Sequence, residues 1–224
     1  MSFLERINIF QHFSRWIDRL YDGIPINISP QPLFGPWKEG FALDIHTHST
    51  KVLEEDKLGN VIKWDQRYSN IGEHLYRYKY WKEGWHLYPL VSSIVAFLRE
   101  KNLTWNIDSI IPIPKSSEHP LTDPVKELAI LVGRKMIVAV ELQALHKIKA
   151  TQALKSIYSP EERAEILQNA FEADSEKISG KNILLLDDVY RSGATLQAVS
   201  EGISRTAKPK NLYVLTITKT RVNR

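Results

Sequence analysis

In the stretch "NILLLDDVYRSGATLQAV", Asn182 to Val199, an apolar run ends in two adjacent carboxylates, Asp187 and Asp188. A short loop follows, Tyr190, Arg191, Ser192, Gly193, Ala194 and Thr195, and then an apolar-periodic segment that reads as a helix. Loop amides at a helix start, aided by the helix dipole, bind an anion such as phosphate. Ser192 and Thr195 add hydroxyl donors, and Gly193 lets an anion approach the backbone closely. Two aspartates would repel that anion, so they answer a different need. A carboxylate accepts well from vicinal hydroxyls, and a sugar phosphate meets both demands.

Other chemistries use similar residues. A nucleoside triphosphatase also ends an apolar strand in acids, but it needs G-x-x-x-x-G-K-S/T upstream, and this chain has no such segment. A receiver-type phosphoacceptor carries its acidic pair on an early strand. The plainest alternative is a buried strand ending in exposed aspartates at a helix start, because acidic caps are common.

"ILLLDDVYRSGAT" resembles the 5-phosphoribosyl-1-pyrophosphate (PRPP) binding motif of type I phosphoribosyltransferases. The resemblance implies an α/β fold, with Asp187 and Asp188 as the catalytic pair on the ribose hydroxyls. Arg191, Ser192, Gly193, Ala194 and Thr195 would hold the 5-phosphate. Tyr190 and Arg191 depart from the motif, which usually has an aliphatic and a small residue there. By the same resemblance, "SIIPIPKSSEHP" supplies Lys115, Ser116 and Ser117 for the pyrophosphate. The basic, non-periodic segment after Ala144 supplies a closing loop with Lys147 and Lys149. Mg2+ would come with PRPP, and the phosphoribosyl group would pass to a small-molecule acceptor. No metal ligand set is assigned to the protein itself.

The spacing of Thr151-Gln152, Leu154, Arg163 and Asn169-Ala170-Phe171 resembles the ComF-like branch, as does "IGEHLYRYKYWKEG". Many ComF-like proteins begin with a cysteine zinc ribbon, which a chain without cysteine cannot build. The alternative within this resemblance is a non-catalytic PRPP or nucleotide binder. It could also be a DNA-uptake accessory protein that binds single-stranded DNA or a DNA-processing partner.

These residues need a parallel sheet to bring strand ends together. "SIIPIP", "MIVAVEL", "NILLLD" and "NLYVLTITK" read as strands alternating with helices. Asp123-Pro124 caps one helix through about Lys135, and Ser159-Pro160-Glu161-Glu162 is a capping box for another. The expected fold is a doubly wound, mostly parallel sheet over residues 69–224. Residues 1–68 form a smaller N-terminal region: an amphipathic helix ending at Asp22-Gly23, a proline-rich linker and a hairpin-like segment. There "FALDIHTHSTKVL" reads as one half-buried strand, with Phe41, Leu43 and Ile45 on its apolar face. Two helices broken near Gly84 follow.

Weaker signals remain. Asp44, His46 and His48 share a strand face at a spacing that suits a metal, although strand faces carry such residues routinely. Tyr76, Tyr78, Tyr80, Trp81, Trp85 and Tyr88 lie among Arg77, Lys79 and Lys82, as in single-strand binders, although such rings more often pack. The apolar stripe of the N-terminal helix offers a docking face for the domain or for a second subunit, and the second case would make a homodimer.

Composition sets the outer bounds. Of 224 residues 43% are hydrophobic, enough for a core. The net charge of +4, from 30 basic and 26 acidic residues, is too balanced to mark a nucleic-acid surface. The lack of cysteine, of a signal pattern and of a membrane-length apolar run makes a cytoplasmic protein with no membrane contact the expectation.

Overall fold

The computed structural model describes residues 23–56, 61–114, 123–148, 166–167 and 169–221. The N-terminal helix and the Ser159 capping box lie outside these residues. So do Lys115, Ser116, Ser117, Lys149, Thr151, Gln152, Leu154 and Arg163.

The core is an α/β sandwich around one sheet. Its strands are β1 (Gln31–Pro32), β2 (Glu39–Ile45), β5 (Ser109–Pro112), β6 (Ala139–Val140), β9 (Asn182–Tyr190) and β10 (Asn211–Lys219). Their spatial order is β1-β2-β10-β9-β5-β6, and all pairings are parallel except β1 with β2. Strands buried on both faces read as continuous apolar runs, and β9 does: alternate residues feed opposite layers. Leu184 and Leu186 pack with Tyr213, Leu215 and Ile217 under α1 (Asn70–Tyr76), α2 (Leu87–Trp105) and α3 (Pro124–Met136). Ile183 and Leu185 pack with Leu212 and Val214 under α5 (Ala194–Thr206) and the short α4 (Ser175–Ile178).

Outside this sheet lie two antiparallel pairs, β3 (Thr47–Glu55) with β4 (Val61–Tyr68), and β7 (Leu145–Lys147) with β8 (Phe171–Ala173). Between α1 and α2 the chain makes a π-helical turn, Arg77–Trp81, and a 3-10 turn, Gly84–His86. Asp123 caps α3 as its sequence implies, accepting from the Lys126 amide at 3.3 Å with Pro124 in the first turn.

Three elements differ from expectation. The stretch from Phe41 is not one half-buried strand. It breaks at His46 into β2 and β3, and Ala42, Leu43 and Asp44 are all buried because β2 sits inside the covered sheet. β2 thus pairs with β10 of the central sheet although it lies in the N-terminal region. The strand expected over "MIVAVEL" shrinks to Ala139–Val140, because α3 runs through Met136 and Ile137 caps it in the left-handed region (φ +57°). Lastly, β9 runs on through Tyr190, so both aspartates are strand residues.

α1 is fastened to the carboxyl end of β2. Ser69 caps α1 by accepting from Gly72 N at 3.1 Å, while its hydroxyl donates to Ile45 O at 2.5 Å. Gly72 lies so close that a Cβ would stand 2.2 Å from the His46 carbonyl oxygen. Alanine gains about 1 kcal/mol of helix propensity over glycine, but overpacking against fixed backbone costs about 1–3 kcal/mol. At 2.2 Å the clash wins. Gly72→Ala is expected to destabilise the protein by about 1–2 kcal/mol in urea unfolding; unchanged or raised stability would contradict this packing.

Candidate functional site

Parallel register carries the ends of β2, β9 and β10 to one edge. Thr216 lies opposite Asp187, and Thr218 lies between Asp44 and Val189. The Thr220 amide donates to Tyr190 O at 2.8 Å, and the His46 amide to Lys219 O at 2.7 Å. Ligands of open α/β sheets bind beyond such carboxyl ends.

Asp187 and Asp188 stand there, partly buried. Asp187 Oδ1 accepts from the Asp188 amide at 2.8 Å. Asp188 continues the alternation of Leu184 and Leu186 toward the α1 layer, where its Oδ2 meets Lys79 Nζ at 2.5 Å. Beyond it the alternation fails: Val189 packs with the α1–α3 cluster and Tyr190 with the α5 cluster.

The two acids are unlike. Burial, and then the charge of Asp188, push the Asp187 carboxyl up to about 7; Asp123 adds to this, while the Asp188 amide and Lys79 oppose it. Burial alone would draw the Lys79 ammonium down, but the Asp188 carboxylate outweighs it and holds Lys79 above its ordinary range. His46 borders the same site, with Nδ1 3.0 Å from Thr218 Oγ1 and its ring edge-on to Tyr68. Burial, reinforced by Lys79 and Arg191 against Asp188, lowers it to about 4. A neutral imidazole of that basicity is a poor general base near neutral pH.

Past Tyr190 the loop is short. Arg191 and Ser192 are exposed, Gly193 takes φ +80°, and α5 starts at Ala194, followed by half-buried Thr195. Gly193 is required twice over. Its φ suits glycine, and a Cβ there would stand 2.4 Å from the Tyr190 hydroxyl. Tyr190, the departure noted in the motif, therefore folds its ring across the loop at the helix start.

The structure thus brings together Asp187, Asp188 and the Arg191–Thr195 loop. Lys147 lies on β7, opposite Phe171 of β8, where burial lowers its ammonium below the usual lysine range. Lys115, Ser116, Ser117 and Lys149 lie outside the described residues. Asp44 is buried and His46 is turned onto Thr218 and Tyr68. Among the described residues no group of three or more His, Cys, Asp or Glu could hold a metal ion. Sequence reasoning missed Lys79 as a site residue. Its only signal was a lysine inside the aromatic run, where Tyr78 is buried against Glu127 while Tyr80, Trp81 and Trp85 are exposed.

Residues 86–220 match the family model described as the phosphoribosyl transferase domain. The chain belongs to that family. Among solved structures this phosphoribosyl transferase chain is similar to UMP synthase of Leishmania donovani, at 14% identity and a TM-score of 0.37, over 75% of this chain and 28% of that one. It is also similar to adenine phosphoribosyltransferase of Saccharomyces cerevisiae, solved with adenine and an imino-altritol bisphosphate, at 12% identity and a TM-score of 0.42, covering 70% and 78% of the two chains. A further adenine phosphoribosyltransferase structure matches at 14% identity and a TM-score of 0.41, covering 73% and 82%. Among curated proteins no sequence matches. Among the described residues no helix is long and apolar enough to cross a membrane.

The raised Asp187 gives the phosphoribosyl transferase domain a pH signature. The folded value of about 7 lies above that of an unfolded aspartate, about 3.9. The native state therefore keeps a proton that the unfolded chain loses, and ligand-free stability falls as pH rises from about 4 through about 7. Asp187→Asn is expected to flatten this fall, so its melting temperature should overtake wild type toward about pH 8. Parallel melting profiles for the two proteins would overturn the assignment.

Proposed function

We propose that the protein binds PRPP and transfers its phosphoribosyl group to a small-molecule acceptor with loss of pyrophosphate. The observation that carries this is the adjacency of Asp187 and Asp188, at the carboxyl end of β9, to the Gly193 loop that opens α5. An anion at the loop amides and a diol at the carboxylates are the two ends of one ribose 5-phosphate. Arg191, Ser192, Gly193, Ala194 and Thr195 take the 5-phosphate in this reading, and Asp187 and Asp188 take the ring hydroxyls. Lys115, Ser116 and Ser117 grip the pyrophosphate in this reading, and Lys149 belongs to a loop that closes over it, with Lys147 at the end of β7 where that loop would start. Breaking the bond at the anomeric carbon leaves positive charge on the ribose ring, as in glycosyl transfer, and in this reading the acids that hold the ring hydroxyls are the groups nearest that charge.

Magnesium enters with the substrate. It dehydrates reluctantly and favours phosphate oxygens with few protein ligands. A site with two acids, one already paired with Lys79, suits an ion carried on pyrophosphate. The cytoplasmic setting and a homodimer belong to the same proposal, whereas a domain boundary near residue 69 would separate β1 and β2 from the sheet they share with β10. The ComF-like placement rests on the sequence patterns at 71–84 and 151–171 alone.

The exposed Tyr80, Trp81 and Trp85, with Arg77 4.8 Å over the Trp81 ring, favour one other reading. It is a ComF-like accessory protein that stacks single-stranded DNA. Oligonucleotide binding unaffected by PRPP, together with no PRPP consumption, would favour it over transfer.

Melting with PRPP and Mg2+ tests the main proposal. Stabilisation should follow mass action, about 2.7 kcal/mol at a hundredfold excess over Kd. Measured near pH 8, above the Asp187 value of about 7, Asp187→Asn and Asp188→Asn each lose a charge-assisted hydrogen bond of about 1.5–3 kcal/mol, so PRPP should bind about tenfold to a hundredfold more weakly. Ser192→Ala with Thr195→Ala should instead weaken every 5-phosphate ligand, with or without pyrophosphate. Aspartate variants that bind PRPP like wild type would return Asp187 and Asp188 to the role of a strand end.

A further inference from the structure

Lys79 reaches the site from a different layer, 109 residues before Asp188 in sequence. It comes from the π-helical turn Arg77–Trp81, and such turns are rare and concentrate at functional sites. The turn is pinned on several sides. The Tyr78 hydroxyl donates to Glu127 of α3. Arg77 Nε lies 2.6 Å from Glu73, with its guanidinium over Trp81. Lys82 ends the turn in the left-handed region (φ +60°). Lys79 is thus delivered from a fixed platform rather than from a loose surface segment.

The side chains of Lys79 and Asp188 are only 23% and 19% exposed. Removing both charges from water costs much of what their attraction returns, so a pair of this kind is a weak device for stability. Its geometric effect is larger. The terminal torsion of an aspartate is broad and roughly two-fold, and an unheld carboxylate samples many planes. An ammonium 2.5 Å from Oδ2 removes that freedom while leaving the lone pairs of Oδ1 available.

We propose that Lys79 is a positioning residue for the sugar site, holding the Asp188 carboxylate in the plane from which Oδ1 accepts a ribose hydroxyl. This rests on the sugar-phosphate reading above. Lys79 in this role acts through Asp188 and does not itself contact the 5-phosphate. Five other groups face or act electrically on this cluster: Asp187 on the same strand, His46 from the end of β2, Arg191 from the loop, Asp123 from the start of α3, and Tyr80 from the turn itself. Among the described residues the Asp188 carboxylate is hydrogen-bonded to Lys79 and to none of these five.

A double-mutant cycle separates the outcomes. The full chain and its Lys79→Met, Lys79→Arg, Asp188→Asn and Lys79→Met/Asp188→Asn variants would be titrated calorimetrically with ribose 5-phosphate, with PRPP plus Mg2+, and with inorganic phosphate. Lys79→Met should weaken both sugar phosphates on the order of tenfold and leave inorganic phosphate unchanged. Lys79→Arg should restore most of the loss. In the Asp188→Asn background, Lys79→Met should add nothing. Lys79→Gln replaces Lys79→Met should that variant fail to fold. Losses that add across the cycle, or an equal loss for inorganic phosphate, would overturn the positioning role while leaving the sugar site intact. Wild-type protein that takes phosphate but neither sugar phosphate would remove the sugar-phosphate reading, and the role of Lys79 with it.

Discussion

The parallel ladder that joins β9 to β10 on one side and to β5 on the other underlies every feature of the site. Parallel pairing forces these strands to end on the same edge, and the pairing of β2 with β10 adds a fourth. Asp187, Asp188, His46 and Thr218 come from chain segments far apart, yet they meet because their strands run the same way. The ladder is stable because both faces are covered. Leu184 and Leu186 are sealed by α1, α2 and α3, and Ile183 and Leu185 by α5 and its neighbours. A carboxylate one or two residues further back on β9 would fall among fully buried leucines, where an unpaired charge is far too costly. The acids therefore sit where apolar cover ends and solvent begins.

That border position explains the division between the two acids. Neighbouring carboxylates in a poorly solvated place oppose each other's ionisation. Asp188 has a cation from another layer, and Asp187 has a backbone amide and a raised titration. The arrangement resolves the repulsion by giving each acid a different partner. Arg191, exposed and adjacent, supplies a further positive charge at the mouth, felt by His46.

Features written in local chemistry were legible in the sequence. Asp123-Pro124 marked a helix start, and the run ending at Asp187 marked a strand whose end opens onto a glycine-led helix, because caps, prolines and apolar runs act within a few residues. The place of β2 was less legible. Ala42 and Asp44 alternate with larger apolar residues, as on a half-exposed strand, but pairing with β10, about 170 positions later, sets β2 inside a sheet that is covered on both faces. Lys79 was harder still. In sequence it is one basic residue among aromatic rings, and only the tertiary fold sets it against a carboxylate carried by another layer. The shortness of β6 was equally hidden, since the apolar residues of "MIVAVEL" suit a helix end as well as a strand.

The π-helical turn also makes spacing matter more than composition in this part of the chain. Successive residues of an α-helix are about 100° apart around its axis, whereas a π turn spreads the same circuit over more residues. Deleting Tyr78, just ahead of Lys79, would let α1 continue in ordinary α geometry with every charge preserved. Lys79 would then swing about a quarter of the way round the axis, away from Asp188. The family likeness of β9 would be untouched, and the harm would be invisible to any comparison that scores residue types rather than their phase. In this turn the length of the chain is itself a functional variable, as strictly set as the identity of the lysine it carries.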